Sequence, residues 1–260
     1  MISPRAASLL NISLFSGVIV LNYLANQLPL GGVTQRELAA EYLLLLTPAG
    51  YAFSIWGLIY LGLTVYIISQ ALPQTRSEPR LRSLDQPFRA SCLCNMGWLF
   101  AWHHRAVFSS AFLMLGLLLS LAWIYRSLDG ERGRARRFSE RVIERTFSLY
   151  LGWVSLAMTL NISIFLKQLG WDGAPLSAQT WSVLLLILLS LLFLSLAVPR
   201  RDFALLFILA WAGLGVFAKN RALALISAAS LSAVLLSLFA SLYLLWRTPV
   251  ARAARTRTFD

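Results

Sequence analysis

The sequence predicts an all-α fold, a polytopic membrane helix bundle of about eight transmembrane helices, and three observations carry that expectation. Hydrophobic residues make up 58% of the 260-residue chain and charged ones only 13%, with mean hydropathy +0.68. The apolar residues run in blocks of about 20, long enough to cross a hydrocarbon core of about 30 Å at about 1.5 Å per residue. In that medium a helix satisfies its own backbone. The cations, finally, sit in the gaps between blocks.

The first block, residues 7–28, follows Arg5 and carries Asn11, Asn22 and Asn26. It is too long for the apolar region of a signal peptide, about 7 to 15 residues, and reads as a retained first span. After Pro29, Gly31 and Gly32, a connection to residue 46 holds Thr34, Arg36, Glu37 and Glu41, which suits a short amphipathic helix on the membrane surface, a candidate lid. The second span covers residues 50–72 and stops at Pro73, and Pro48 fits its first turn, where a missing N–H costs little. Tyr51, Phe53, Trp56 and Tyr60 follow, and Trp56 and Tyr60, four apart, share a face. An indole N–H or phenol O–H at membrane depth must find a partner in the protein or on a ligand, so that face is either a pocket wall or helix packing.

The third span, residues 88–103, places Asn95, Trp98 and Trp102 on one side. The fourth, 107–125, is Leu-rich packing. Residues 130–145 alternate arginine and glutamate, as in a solvated loop or a patch that meets anionic lipid headgroups. The fifth span, 146–166, sets Tyr150, Trp153 and Asn161 in the membrane, and residues 181–198, 203–218 and 223–246 close the count of eight.

Eight spans place both termini on one side. Of the 23 lysines and arginines, 18 fall at the termini and in the even-numbered gaps, against Arg36, Arg105, Lys167, Lys219 and Arg221 in the odd-numbered ones. By the positive-inside rule both termini are cytoplasmic. The net charge of +12 is then a topology signal and a means of meeting the lipid bilayer, with no base-stacking pattern to suggest nucleic acid.

Cys92 and Cys94 define no disulfide framework, and no further His or Cys lies at ligand spacing, so no metal site is expected. His103 and His104 fit an interfacial cap at a helix end or an axial haem ligand. Asn95 and Asn161 require partners at membrane depth, either an inter-helix hydrogen bond or a ligand. Gly97, among small residues, offers a face for a second copy, a homodimer. No nucleophile, base or metal constellation points to an enzyme.

Three motifs together resemble the TspO/MBR family, the tryptophan-rich sensory proteins that include the translocator protein, or peripheral benzodiazepine receptor. The family's second helix opens Pro-Pro-x-Trp and continues Val-Trp-x-x-Leu-Tyr, and Pro48, Tyr51, Phe53, Trp56 and Tyr60 occupy similar places. Its Leu-Asn-x-x-Trp is matched by Cys94, Asn95 and Trp98. Its Pro-Tyr-Leu-Ala-Trp-Val and Leu-Asn are matched by Tyr150, Leu151, Gly152, Trp153, Val154, Leu160 and Asn161. Ala49, Tyr51 and Leu149 depart from it.

The resemblance spans residues 7–168 and implies a five-helix TspO-like domain, 1–168, followed by a three-helix extension with a basic tail, 169–260, as in long bacterial forms. It further implies a pocket open toward the connection between the first two spans, taking porphyrins and, in some members, sterols and isoquinoline-type drugs. Trp56, Trp98 and Trp153 would wall it, with Tyr51, Phe53, Tyr60, Asn95, Tyr150 and Asn161 as further ligand-binding residues.

A flat tetrapyrrole suits stacking on indoles, and Arg36 suits its propionates. Some members are reported to break down protoporphyrin in light, and Tyr51 at one of the Trp positions argues against that activity here. The expected protein is thus a bacterial inner-membrane sensor, regulator or carrier for a porphyrin, a haem-like ligand or another planar apolar molecule, with no required cofactor. A small-molecule transporter and a structural subunit of a membrane complex are the alternatives.

Overall fold

A computed structural model describes residues 3–27, 32–128 and 137–247. The basic tail and residues 130–136 of the charged loop lie outside the described residues, as do the side chains of Asn26 and Arg36. The described residues form ten α-helices and no strand: α1 (Pro4–Gln27), α2 (Gln35–Glu41), α3 (Ile55–Ala71), α4 (Pro79–Ser83), α5 (Asp85–His103), α6 (Val107–Ser127), α7 (Phe138–Gln168), α8 (Ala178–Arg200), α9 (Phe203–Lys219) and α10 (Ala224–Trp246).

This is an all-α polytopic membrane bundle. Among the described residues, six helices are long and apolar enough to cross a bilayer, with α3 counted from Gly50. The expected eight adds α5 and α9. α9 is strongly apolar but has only 17 residues, and α5 has 19 but carries Asp85, Arg89 and Asn95. At about 1.5 Å per residue both still come close to the hydrocarbon thickness.

Five long helices close into a ring in the order α1, α5, α6, α7, α3 and back to α1. Helices α8, α9 and α10 pack on one another, and α9 joins them to α7. That junction is close because Gly152 of α7 has no side chain: a Cβ there would lie 3.0 Å from Ile208 Cγ2. Half-buried Gly97 lies against α6, 3.3 Å from the Leu113 methyls by the same measure.

Polar clasps hold the ring at its arginine-rich end. Asn11 of α1 donates to Gln70 Oε1 and Asp85 Oδ1, both at 2.7 Å, and Gln70 donates to Asp85 Oδ1 at 2.9 Å. Arg82 and Arg89 pair with Asp85 at 3.2 and 3.7 Å. The Asn11, Gln70 and Asp85 side chains in this knot are all partnered, which in a low-dielectric interior is what makes the knot tolerable.

Two expectations change. α7 begins at Phe138, so the second half of the charged stretch is helix rather than loop. Glu140 and Glu144, four apart, share a face, both pair with Arg80, and Ile143 is buried beneath them. Pro48, for its part, does not start an α-helix. Gly50–Ser54 form a 3-10 turn before α3, because Pro48 is pressed against α9.

Candidate functional site

The short helix α2 is built by its cap. Thr34 Oγ1 accepts from the Glu37 N–H and the Glu37 carboxylate accepts from the Thr34 N–H, a reciprocal capping box, and Leu38 is fully buried beneath. The cations of the odd-numbered gaps then fasten the segment that follows. Arg105 donates to both Glu41 oxygens at 3.0 and 3.1 Å, Lys167 to the Tyr42 carbonyl at 3.4 Å and Lys219 to the Leu44 carbonyl at 3.1 Å.

Beneath this cover lies a narrow cleft between α3, α5 and α7. Ala39, Thr47, Pro48, Phe53, Trp56, Trp98, Trp102, Trp153 and Asn161 line it, with four apolar residues of α7. Trp98 and Trp102 are stacked at 5.9 Å between centroids, Tyr42 adds its ring to Trp102, and Phe53 meets Trp153 edge-on at 5.7 Å. Such pairs stabilise by about 0.5 to 1.5 kcal/mol each beyond their burial, so the wall is largely self-supporting.

Asn161 closes one end: its Oδ1 accepts from Ser110 Oγ at 2.7 Å and from Trp98 Nε1 at 3.4 Å. By contrast, Trp56 Nε1 and Trp102 Nε1 are buried and have no hydrogen-bond partner among the described residues.

The sequence-predicted residues therefore separate into layers. Phe53, Trp56, Trp98, Trp153 and Asn161 meet at the cleft. Tyr60 stacks on Trp56 at 5.4 Å and Tyr150 meets its edge at 5.6 Å, so both stand behind the wall. Asn95 donates to Tyr150 Oη at 3.0 Å and accepts from Asn22 at 3.2 Å, an inter-helix role that links α1, α5 and α7. Tyr51 turns away, half exposed, with its ring edge-on to Trp211 of α9.

His103 and His104 do not line the cleft. Each Nδ1–H donates to the carbonyl four residues back, at 2.8 and 2.9 Å, as helix-end imidazoles do. Trp102 is a cleft residue whose side was legible from its spacing to Trp98. The contribution of α9 was not, because Trp211 lies outside the family motifs.

The cleft has a volume of about 40 Å³. That holds a water or so, whereas sites for drug-sized ligands run to about 300 to 1,000 Å³. A wider apolar groove of about 620 Å³ lies on the other side of α7 beneath the same loop, between Leu43–Leu46, Trp171 and Trp181, and involves none of the predicted residues.

Neither a curated protein nor a solved structure matches the chain. A family model described as "TSPO-like protein" matches residues 8–243, so it takes in α8 and α9 and nearly all of α10 as well as the ring. The chain belongs to the TSPO-like family of membrane proteins.

Proposed function

We propose that this membrane protein binds a planar apolar ligand of the porphyrin kind between α3, α5 and α7 and acts as a sensor, regulator or carrier. The observation that carries the reading is the convergence of Trp56, Trp98, Trp102 and Trp153, from three separate helices, on one cleft. Indoles packed only for stability would be expected to satisfy their N–H groups. Two of these do not, and a ligand with acceptor atoms would satisfy them.

A tetrapyrrole is far larger than the closed cleft. Binding requires that α2 and the loop to Thr47 lift, and the closed state then lowers the apparent affinity by the population it holds. The fastenings from Arg105, Lys167 and Lys219 are end-on polar contacts at the rim, which a modest energy releases, and the Asn220 amide on the Leu45 carbonyl must be released with them.

The test is a protoporphyrin titration of the purified protein followed by tryptophan quenching. Trp56→Ala and Trp153→Ala are each expected to weaken binding. Trp102→Phe, which keeps a ring and removes the free N–H, is expected to weaken binding at a modest cost in stability from the smaller buried ring. Unchanged affinity in all three variants would remove the cleft as the site.

A further inference from the structure

At the other end of α7 lies a second, polar cleft of about 250 Å³, where α6, α7 and the turn between α8 and α9 meet. Four arginines line it, Arg141, Arg145, Arg200 and Arg201, against two carboxylates, Glu144 and Asp202. Both carboxylates are already engaged. Glu144 pairs with Arg80, and Asp202 accepts from Ser148 Oγ at 2.6 Å and from the N–H groups of Ala204 and Leu205 at the start of α9.

The cations are held differently. Arg200 lies over the Tyr125 ring, 4.2 Å from its centroid, and Arg201, fixed at the end of α8 with φ 50°, donates to the Arg247 carbonyl at 3.2 Å. The guanidinium groups of Arg141 and Arg145 have no hydrogen-bond or ion-pair partner among the described residues. A topology signal needs arginines on this face of the bundle. It does not need them gathered in one concavity, where like charges repel.

We propose that this cleft binds a phosphoryl anion. Its excess of two positive charges matches a phosphate dianion, guanidinium forks match phosphate oxygens in pairs, and the volume admits a phosphate with a small ester group. The anion comes either from a lipid headgroup at the bilayer surface or from a soluble phosphorylated metabolite. The proposal is independent of the aromatic cleft.

The experiment uses the full chain in nanodiscs of neutral phosphatidylcholine, titrated in one arm with short-chain phosphatidate and in the other with glycerophosphate. Saturable binding of phosphatidate alone assigns a headgroup, and saturable binding of glycerophosphate assigns a soluble ligand. In either case Arg141→Gln and Arg145→Gln are each expected to weaken binding about tenfold or more, the effect of one lost charge-assisted hydrogen bond. Both side chains are exposed, so circular dichroism should be unchanged.

Arg126→Gln, exposed on the same face but outside the cleft, is expected to change nothing. Saturation by neither probe overturns the proposal. So does an Arg126→Gln loss equal to that of Arg145→Gln, which would mark diffuse surface charge.

Discussion

Gly215 of α9 is the position at which the last three helices press hardest on the aromatic cleft, and Gly215→Ala tests whether that contact matters. A Cβ at 215 would lie 2.7 Å from Pro48 Cβ and 3.1 Å from Ala52 Cβ. Carbons meet comfortably at about 3.5 to 4.0 Å, so α9 must retreat by about 1 Å. Two hydrogen bonds lie across the same contact, Ala49 N–H to the Gly215 carbonyl and Trp211 Nε1–H to the Ala52 carbonyl, each 2.9 Å. A retreat of that size takes both beyond useful length. Their loss costs about 1 kcal/mol each, overpacking adds about 1 to 3, and the better helix propensity of alanine returns at most about 1, for a net loss of about 2 to 4 kcal/mol. Gly213→Ala is the control: its Cβ would meet Ser230 and Val234 of α10, away from the cleft. Denaturation in mixed micelles followed by tryptophan fluorescence measures both variants. The expected pattern is a lowered midpoint in both and weakened protoporphyrin binding only in Gly215→Ala. Parent-like stability and binding in Gly215→Ala would refute the idea that α9 braces the cleft.

Other perturbations follow from the same geometry. Asp85→Ala removes the carboxylate that pairs with Arg82 and Arg89 and one acceptor from each of the Asn11 and Gln70 amides, so a loss of about 3 kcal/mol is expected in the same denaturation assay. Asn161→Leu leaves Ser110 and Trp98 without their acceptor in an apolar interior and should cost about 1 to 3 kcal/mol. Arg105→Gln frees Glu41 and is expected to speed protoporphyrin association in stopped-flow quenching while hardly moving the denaturation midpoint, since the pair is exposed. Single cysteines at 126 and 172, in a chain lacking Cys92 and Cys94, should label from opposite sides of sealed vesicles, with 126 on the cytoplasmic side.

The membrane bundle was legible because bilayers are strict. A backbone in hydrocarbon must satisfy itself, so long apolar runs dictate helices before any packing is known. What escaped sequence reasoning depends on distant partners. Pro48 carries the ordinary signal of a helix start, and only the body of α9 against it explains the 3-10 turn that follows. Phe138 to Arg145 look like a solvated loop until Arg80 is seen to join Glu140 with Glu144 on one helical face.

The cleft was legible where periodicity alone decided. Trp56 with Tyr60 and Trp98 with Trp102 share faces at spacing four, and both pairs stack. Tyr51 shows where such reasoning ends. It precedes the first α-helical turn, so no helical face could be assigned to it, and its ring leans on Trp211, a residue of α9 far along the chain. Gly152 carried a signal in the motif itself, since it stands at the family's Ala position. Only α9 explains why a methyl would be crowded there, by Ile208 and Leu205.

The bracing by α9 has a simple periodic basis. Trp211, Gly215 and Lys219 recur at spacing four and so form one stripe along that helix. Trp211 holds the Ala52 carbonyl, Gly215 receives Pro48 and bonds Ala49, and Lys219 holds the Leu44 carbonyl, with Asn220 beside it on Leu45 at 2.8 Å. The stripe thus docks the entire segment from Leu44 to Ala52, which is both the rim of the cleft and the entry to α3. The resemblance read from motifs ends at residue 168, yet the segment that would have to lift for a large ligand is tied to a helix beyond it. A ligand that opens the cleft must therefore also disturb the last three helices, and this physical link would let a binding event in the ring be felt in α8 to α10.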